Sequence, residues 1–205
     1  MEIVDVWREL PILRRQFADR VESLDDGAWD SPSWCADWRV RDVLAHLVYL
    51  AEATQVSVGR DFIRSGLRPD RALRRAATRL GNLPVPELAA RLRAASQGRF
   101  HVLGSPSAVA LGEVLVHGAD ALRPLGLDID APPADALPVL DAYWRIGRFA
   151  FHAAPQRGRH LVATDLDWSR GRGPEVKGRA MDLLLLLANR RQVLGRLEGP
   201  GLAGL

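Results

Sequence analysis

Cysteine occurs once in the 205 residues, at Cys35. A single thiol excludes an intrachain disulfide and a cysteine-based zinc site. Lysine is as scarce: of 28 basic residues only Lys177 is not arginine, a skew that matches a GC-rich coding sequence. Long apolar runs are missing too. The longest, Leu183 to Ala188, has six residues, far short of the ~20 that cross a bilayer. The N-terminal M-E-I-V-D-V-W-R-E-L lacks the basic start, apolar centre and small-residue cleavage site of a signal peptide, so the cytoplasm is the expected location. No glycine-rich phosphate loop is present, because G-R-G-P-E-V-K-G is too short and misspaced for one. The densest basic stretch, Arg60, Arg64, Arg68, Arg71, Arg74, Arg75 and Arg79, contains only Phe62 as an aromatic and is read as a solvated face. Neither a nucleic acid nor a membrane is an expected partner.

Helical periodicity dominates what remains. Ile3, Val6, Leu10, Leu13, Phe17, Val21 and Leu24 form a stripe in steps of three and four, interrupted by Pro11, where a kink or a two-piece helix is expected. A turn-rich loop with Trp29, Trp34 and Trp38 follows; these rings are expected to plug the end of a helical bundle. A second helix is predicted from Arg39 to about Ile63, a basic one up to Leu80, another from Pro86 to Ser96 and a further stripe from Ala110 to Leu125, with Ser105 or Ser107 as caps and Gly126 as its stop. D-I-D-A-P-P-A-D marks a boundary near residue 130. Beyond it the pattern predicts a helix over 134–153, a strand over 159–168, a turn at S-R-G-R-G-P and an apolar helix over 179–197. The expectation is a mainly α chain: a helical bundle over 1–128 and a small, reduced α/β domain over 129–205.

Three side chains carry the candidate chemistry. Glu113 and His117 in E-V-L-V-H are four apart, which places them on one helix face about 5–6 Å apart at Cβ. His46 lies in a separate apolar helix, R-D-V-L-A-H-L-V-Y-L, beside Val43 and Leu50. Two imidazoles and a carboxylate are suitable ligands for a catalytic zinc with one open position. Taken singly, each has a plainer reading: a surface pair for Glu113 and His117, a hydrogen-bonded core histidine for His46. Asp120, three residues after His117, would accept the free ring N–H and fix the tautomer, or face solvent. Asp42, four before His46, allows the same two readings. His101, His152 and His160 show no ligand spacing, and nothing near Cys35 in sequence supplies a base, so these are read as structural.

The string W-C-A-D-W-R-V-R-D-V-L-A-H-L resembles the C-x-x-W-x-V-x-D-V-x-x-H-L motif of the mycothiol-dependent maleylpyruvate isomerase family, within the DinB-like superfamily. E-V-L-V-H-G-A-D-A-L-R-P-L-G resembles that family's E-x-x-x-H-x-x-D segment, and T-D-L-D-W-S-R-G-R-G-P-E-V-K-G with D-L-L-L-L-L-A-N-R resembles its small C-terminal domain. The resemblance implies an up-down four-helix bundle holding a divalent metal, usually zinc, on His46, Glu113 and His117. It also implies an arginine supplied by the C-terminal domain, for which Arg190 is the nearest match. One departure is Arg39, which stands where the family's capping Ser or Thr falls, so capping passes to Asp37 in this reading.

The function these observations support is a zinc- and mycothiol-dependent isomerase or S-transferase acting on a small electrophile, with nickel as an alternative metal and a monomer or homodimer as the working form. A metal-dependent hydrolase and a non-enzymatic binding bundle are the competing classes.

Overall fold

Leu10, Leu13, Phe17 and Val21 are buried along α1 (Val6–Glu22), as their spacing requires. The computed structural model describes residues 4–146 and 156–205, and among these helices prevail over one three-stranded sheet. The break expected at Pro11 is absent: α1 continues through it. Pro11 lies in the second turn, where a missing N–H forfeits one hydrogen bond that the packed apolar face outweighs. No helix is long and apolar enough to cross a membrane among the described residues.

The chain divides into two units. The first is Trp7–Asp130; the second is Ala131–Leu205 together with the residues before Trp7. In the first, α1 is followed by the short α2 (Asp26–Trp29), α3 (Val40–Glu52), α4 (Gln55–Arg64), α5 (Pro69–Leu80), α6 (Val85–Ala94) and α7 (Ala108–Leu122). α3 is the central helix and packs against α5, α6 and α7. Val40, Val43, Leu44, Leu47 and Ala51 of α3, Leu88 and Leu92 of α6, and Leu111, Val114 and Leu115 of α7 are each no more than 5% exposed and belong to the core between these helices. Buried Arg14 fastens α1 to the segment after α6: its Nη1 donates to the carbonyls of Ser96 (2.9 Å) and Gly98 (2.6 Å).

The single helix expected over 39–63 is two helices. Thr54 is extended (φ −122°, ψ 160°) and starts α4 by a reciprocal pair: Ser57 N–H donates to Thr54 Oγ1 (3.1 Å), and Thr54 N–H donates to Ser57 Oγ (2.9 Å). Two donors that a helix start leaves orphaned are thereby satisfied, which stabilises the break. Neither serine before α7 caps it as expected: Ser107 holds the N-cap position without a side-chain bond, and Ser105 Oγ donates to Val102 O instead. After α7 the chain tightens into a 3-10 turn, Arg123–Leu125, and Gly126 (φ 74°) ends it in the left-handed region that favours glycine.

In the second unit α8 (Pro133–Ile146) packs on α9 (Ala180–Leu187), and the three strands are ordered β2-β1-β3. β1 (His160–Ala163) pairs antiparallel with β2 (Ser169–Gly171) and parallel with β3 (Glu175–Gly178). The strand predicted to Trp168 therefore stops at Ala163, and the serine, arginine and glycine assigned to a turn form β2. Trp168 Nε1 and Arg170 Nη2 both donate to Asp141 Oδ1, at 2.9 and 2.8 Å, tying the hairpin to α8. The apolar helix predicted to Leu197 ends at Leu187; Asn189 turns left-handed (φ 63°) and a 3-10 segment, Arg191–Arg196, follows. The part of the predicted 134–153 helix beyond Ile146, and His152 with it, lie outside the described residues.

Candidate metal centre

The loop from Ser31 to Arg39 and the helices α3 and α7 build the site. α3 starts at Arg39, and Asp42, rather than the expected Asp37, secures that start. Asp42 Oδ2 accepts the Arg39 backbone N–H (3.0 Å), while the Arg39 guanidinium grips both carboxylate oxygens (2.9 and 3.0 Å). Asp42 is thus buried and occupied at 3% exposure, and neither orients His46 nor faces water. Asp37 adopts φ 67° and pairs with Arg74. Gly81 lies so close to Asp42 that a Cβ there would collide with the carboxylate.

One turn further along α3, His46 is 2% exposed and aims Nε2 at Glu113 Oε2, 3.2 Å away. On α7 the i,i+4 pair closes as its spacing predicts, with His117 Nε2 3.3 Å from the same Glu113 oxygen. One donor atom from each of the three residues lies within 4.8 Å of the others, a group able to hold a metal ion. The two imidazoles meet edge to face (centroids 4.8 Å), and the Trp38 ring lies against both, at 5.0 Å from His46 and 6.0 Å from His117. Trp38 is therefore part of the site's wall and does more than plug a bundle end. Trp29 does serve the scaffold, donating Nε1–H to Val21 O (2.9 Å).

Asp120 is fully buried and stands behind His117, with Oδ2 3.0 Å from Nδ1. Cys35 is the residue that sequence reasoning missed. Its Sγ is 3.3 Å from His117 Nδ1 and 3.0 Å from Asp120 Oδ2, so a histidine and a carboxylate absent from its sequence neighbourhood are supplied by the fold. The loop is pinned there from both sides: Trp34 N–H donates to the Asp120 carbonyl (2.8 Å), and Ser33 N–H to Trp38 O (2.9 Å). The one available signal was its place three residues before Trp38 in the motif.

Electrostatics separate the two histidines. Burial pushes the His46 imidazole below its ordinary pKa, the Glu113 hydrogen bond opposes this, and the nearby His117 reinforces it, leaving His46 neutral. Burial also opposes charging of His117, but Cys35, Asp120 and Glu113 together outweigh it and raise this imidazole well above its ordinary value. Glu113 would be raised by burial, yet His117 and His46 hold it well below the usual carboxylate range. It is an anion at any physiological pH.

Arg190 belongs to the Ala131–Leu205 unit, where Nη1 donates to Ala188 O (2.7 Å). His101 Nδ1 faces Arg99 O at 3.3 Å and its ring packs on Trp7, while His160 stands 3.9 Å from Glu175.

No curated protein matches the chain. Among solved structures, the crystal structure of the mycothiol-dependent maleylpyruvate isomerase is similar at 17% identity and a TM-score of 0.57. A histidine-to-alanine mutant of it is similar at 16% identity and a TM-score of 0.60. In both cases 95% of this chain and 92% of the other are covered. At such identities the likeness establishes the fold alone: mainly α, with a small three-stranded sheet. A family model described as the mycothiol maleylpyruvate isomerase N-terminal domain matches residues 10–122, more than half of the sequence and all of the site. The chain belongs to the mycothiol maleylpyruvate isomerase family.

Proposed function

We propose that the chain is a metal-dependent enzyme that uses a low-molecular-weight thiol, mycothiol, to isomerise a small electrophilic substrate, or to displace a leaving group from it and remain attached through sulfur. The observation that carries this reading is the donor triangle of His46 Nε2, Glu113 Oε2 and His117 Nε2. Ligands held 2.0–2.1 Å from a tetrahedral zinc ion lie roughly 3.3 Å from one another. The two edges through Glu113 measure 3.2 and 3.3 Å. The donor chemistry fits equally well: two nitrogen donors and one oxygen suit zinc, or nickel, and leave a ligand position open.

Each residue has a definable task. His46 is already neutral and offers a lone pair without first losing a proton. Glu113 supplies the one fixed negative charge, so a divalent ion retains net positive charge toward a further ligand. Asp120 accepts the His117 Nδ1–H, so the proton given up on ligation is the one at Nε2. Trp38 packs along both rings and limits their rotation. A zinc ion bound there would lower the pKa of a coordinated thiol and make it a nucleophile near neutral pH. The family membership supports mycothiol as that thiol.

The test is metal analysis of the purified protein beside His46→Ala and Glu113→Ala, followed by turnover of a maleylpyruvate-like electrophile with and without mycothiol. About one metal per chain is expected in the parent, with a 10- to 100-fold or larger loss of affinity in each variant. Parent-like metal content in both variants overturns the ligand assignment. Turnover that ignores the thiol favours metal-assisted hydrolysis, and metal retained without any turnover favours a binding protein.

A further inference from the structure

We infer that Cys35 is a positioning residue for the metal centre, acting through Asp120 on His117; this rests on the metal-site reading above. Three atoms meet behind His117: Cys35 Sγ, Asp120 Oδ2 and His117 Nδ1, with separations of 3.0, 3.0 and 3.3 Å. The same three residues qualify by proximity as a second cation site. The distances argue for hydrogen bonds instead. Around a tetrahedral zinc, with sulfur at 2.3 Å and oxygen near 2.0 Å, a sulfur and an oxygen ligand stand roughly 3.5 Å apart, half an ångström wider than the Cys35–Asp120 contact found here. The thiol therefore donates to Asp120 Oδ2, and the imidazole Nδ1–H donates to the same oxygen.

That sharing is what gives Cys35 its role. Asp120 is fully buried, so its charge is stabilised only by the donors that reach it. Cys35 approaches Oδ2 from the loop while His117 approaches from the helix, and the Trp34 N–H bond to the Asp120 carbonyl holds the loop in place. The carboxylate oxygen is thereby fixed at the Nδ1 edge of His117, which sets the direction of Nε2 toward Glu113. Loss of the thiol removes one of the donors that fix Oδ2, and so loosens the hold of Asp120 on the imidazole. Partners that orient a metal-bound histidine in this way have effects of 10- to 100-fold on affinity.

The experiment measures Zn²⁺ affinity by chelator competition, with the visible spectrum of the Co²⁺ form alongside, for the parent, Cys35→Ala, Cys35→Ser, Asp120→Asn and the Cys35→Ala/Asp120→Asn double variant. Cys35→Ala should lose about tenfold in affinity and change the Co²⁺ spectrum, while Cys35→Ser, which keeps a donor at the same place, should stay within about threefold of the parent. In the Asp120→Asn background, Cys35→Ala should cost less than about twofold, because the interaction it removes is already gone. Parent-like affinity in Cys35→Ala, or a full tenfold cost in the double variant over Asp120→Asn, overturns the inference. If Asp120→Asn does not fold, the comparison of Cys35→Ala with Cys35→Ser decides alone. Failure of the parent itself to bind metal would overturn the metal-site reading, and is distinguishable from either result.

Discussion

At the scale of single residues, the two histidines of the site are pushed in opposite directions. Burial lowers the His46 pKa and favours its neutral form, whereas at His117 the opposing effect of burial is outweighed by Cys35, Asp120 and Glu113, which raise its pKa and favour the protonated form. A cation must therefore displace the His117 proton. As pH rises toward the raised pKa of His117 this displacement becomes easier, so apparent metal affinity increases with pH, and it weakens as pH falls. Calorimetric metal titration at pH 7 in buffers of different ionisation enthalpy should show about one proton released per ion bound; no release would contradict the assigned state of His117. His46, Glu113 and His117 were legible in the sequence because helix geometry alone places an i,i+4 pair together, and because His46 sits within an apolar helical run beside Val43 and Leu50. Cys35 was not. Its partners are 82 and 85 positions away, and a loop residue carries no periodicity that points to a distant helix.

At the scale of elements, the start of α3 decides where His46 sits. The Arg39–Asp42 lock closes the first turn, four residues before the histidine. Asp42→Ala should lower the unfolding free energy by about 1–3 kcal/mol, since it removes a cap and leaves a guanidinium without its buried carboxylate. Chemical denaturation reads this as a lower midpoint with an unchanged slope, and a midpoint equal to the parent's would show that the lock contributes nothing. The helices themselves could be read from apolar spacing; their ends were less legible. Thr54 and Ser57 form a T-x-x-S start that the continuing stripe to Phe62 masked, so two helices read as one. At α9 the run of leucines carried the pattern on past Asn189, whose left-handed turn ends the helix. In both places a local hydrogen bond or backbone turn overrode hydrophobic periodicity, which records which face is buried and not where a helix stops.

At the scale of the whole molecule, an ion bound only by the folded state adds to stability in proportion to its saturation. Zn²⁺ at 100 times its Kd should contribute about 2.7 kcal/mol, seen as a rise in Tm that is lost in His46→Ala and reversed by a chelator. A Tm indifferent to zinc would mean that the donors do not bind it in the native state. The long separation of the ligands has a further consequence. A nascent or misfolded chain can present only the neighbouring pair on α7, since the third donor arrives from 67 positions away once α3 has docked. Two ligands hold a metal feebly and three hold it well. A metal ion bound at all three donors would thus distinguish a chain in which α3 and α7 have docked from one in which they have not.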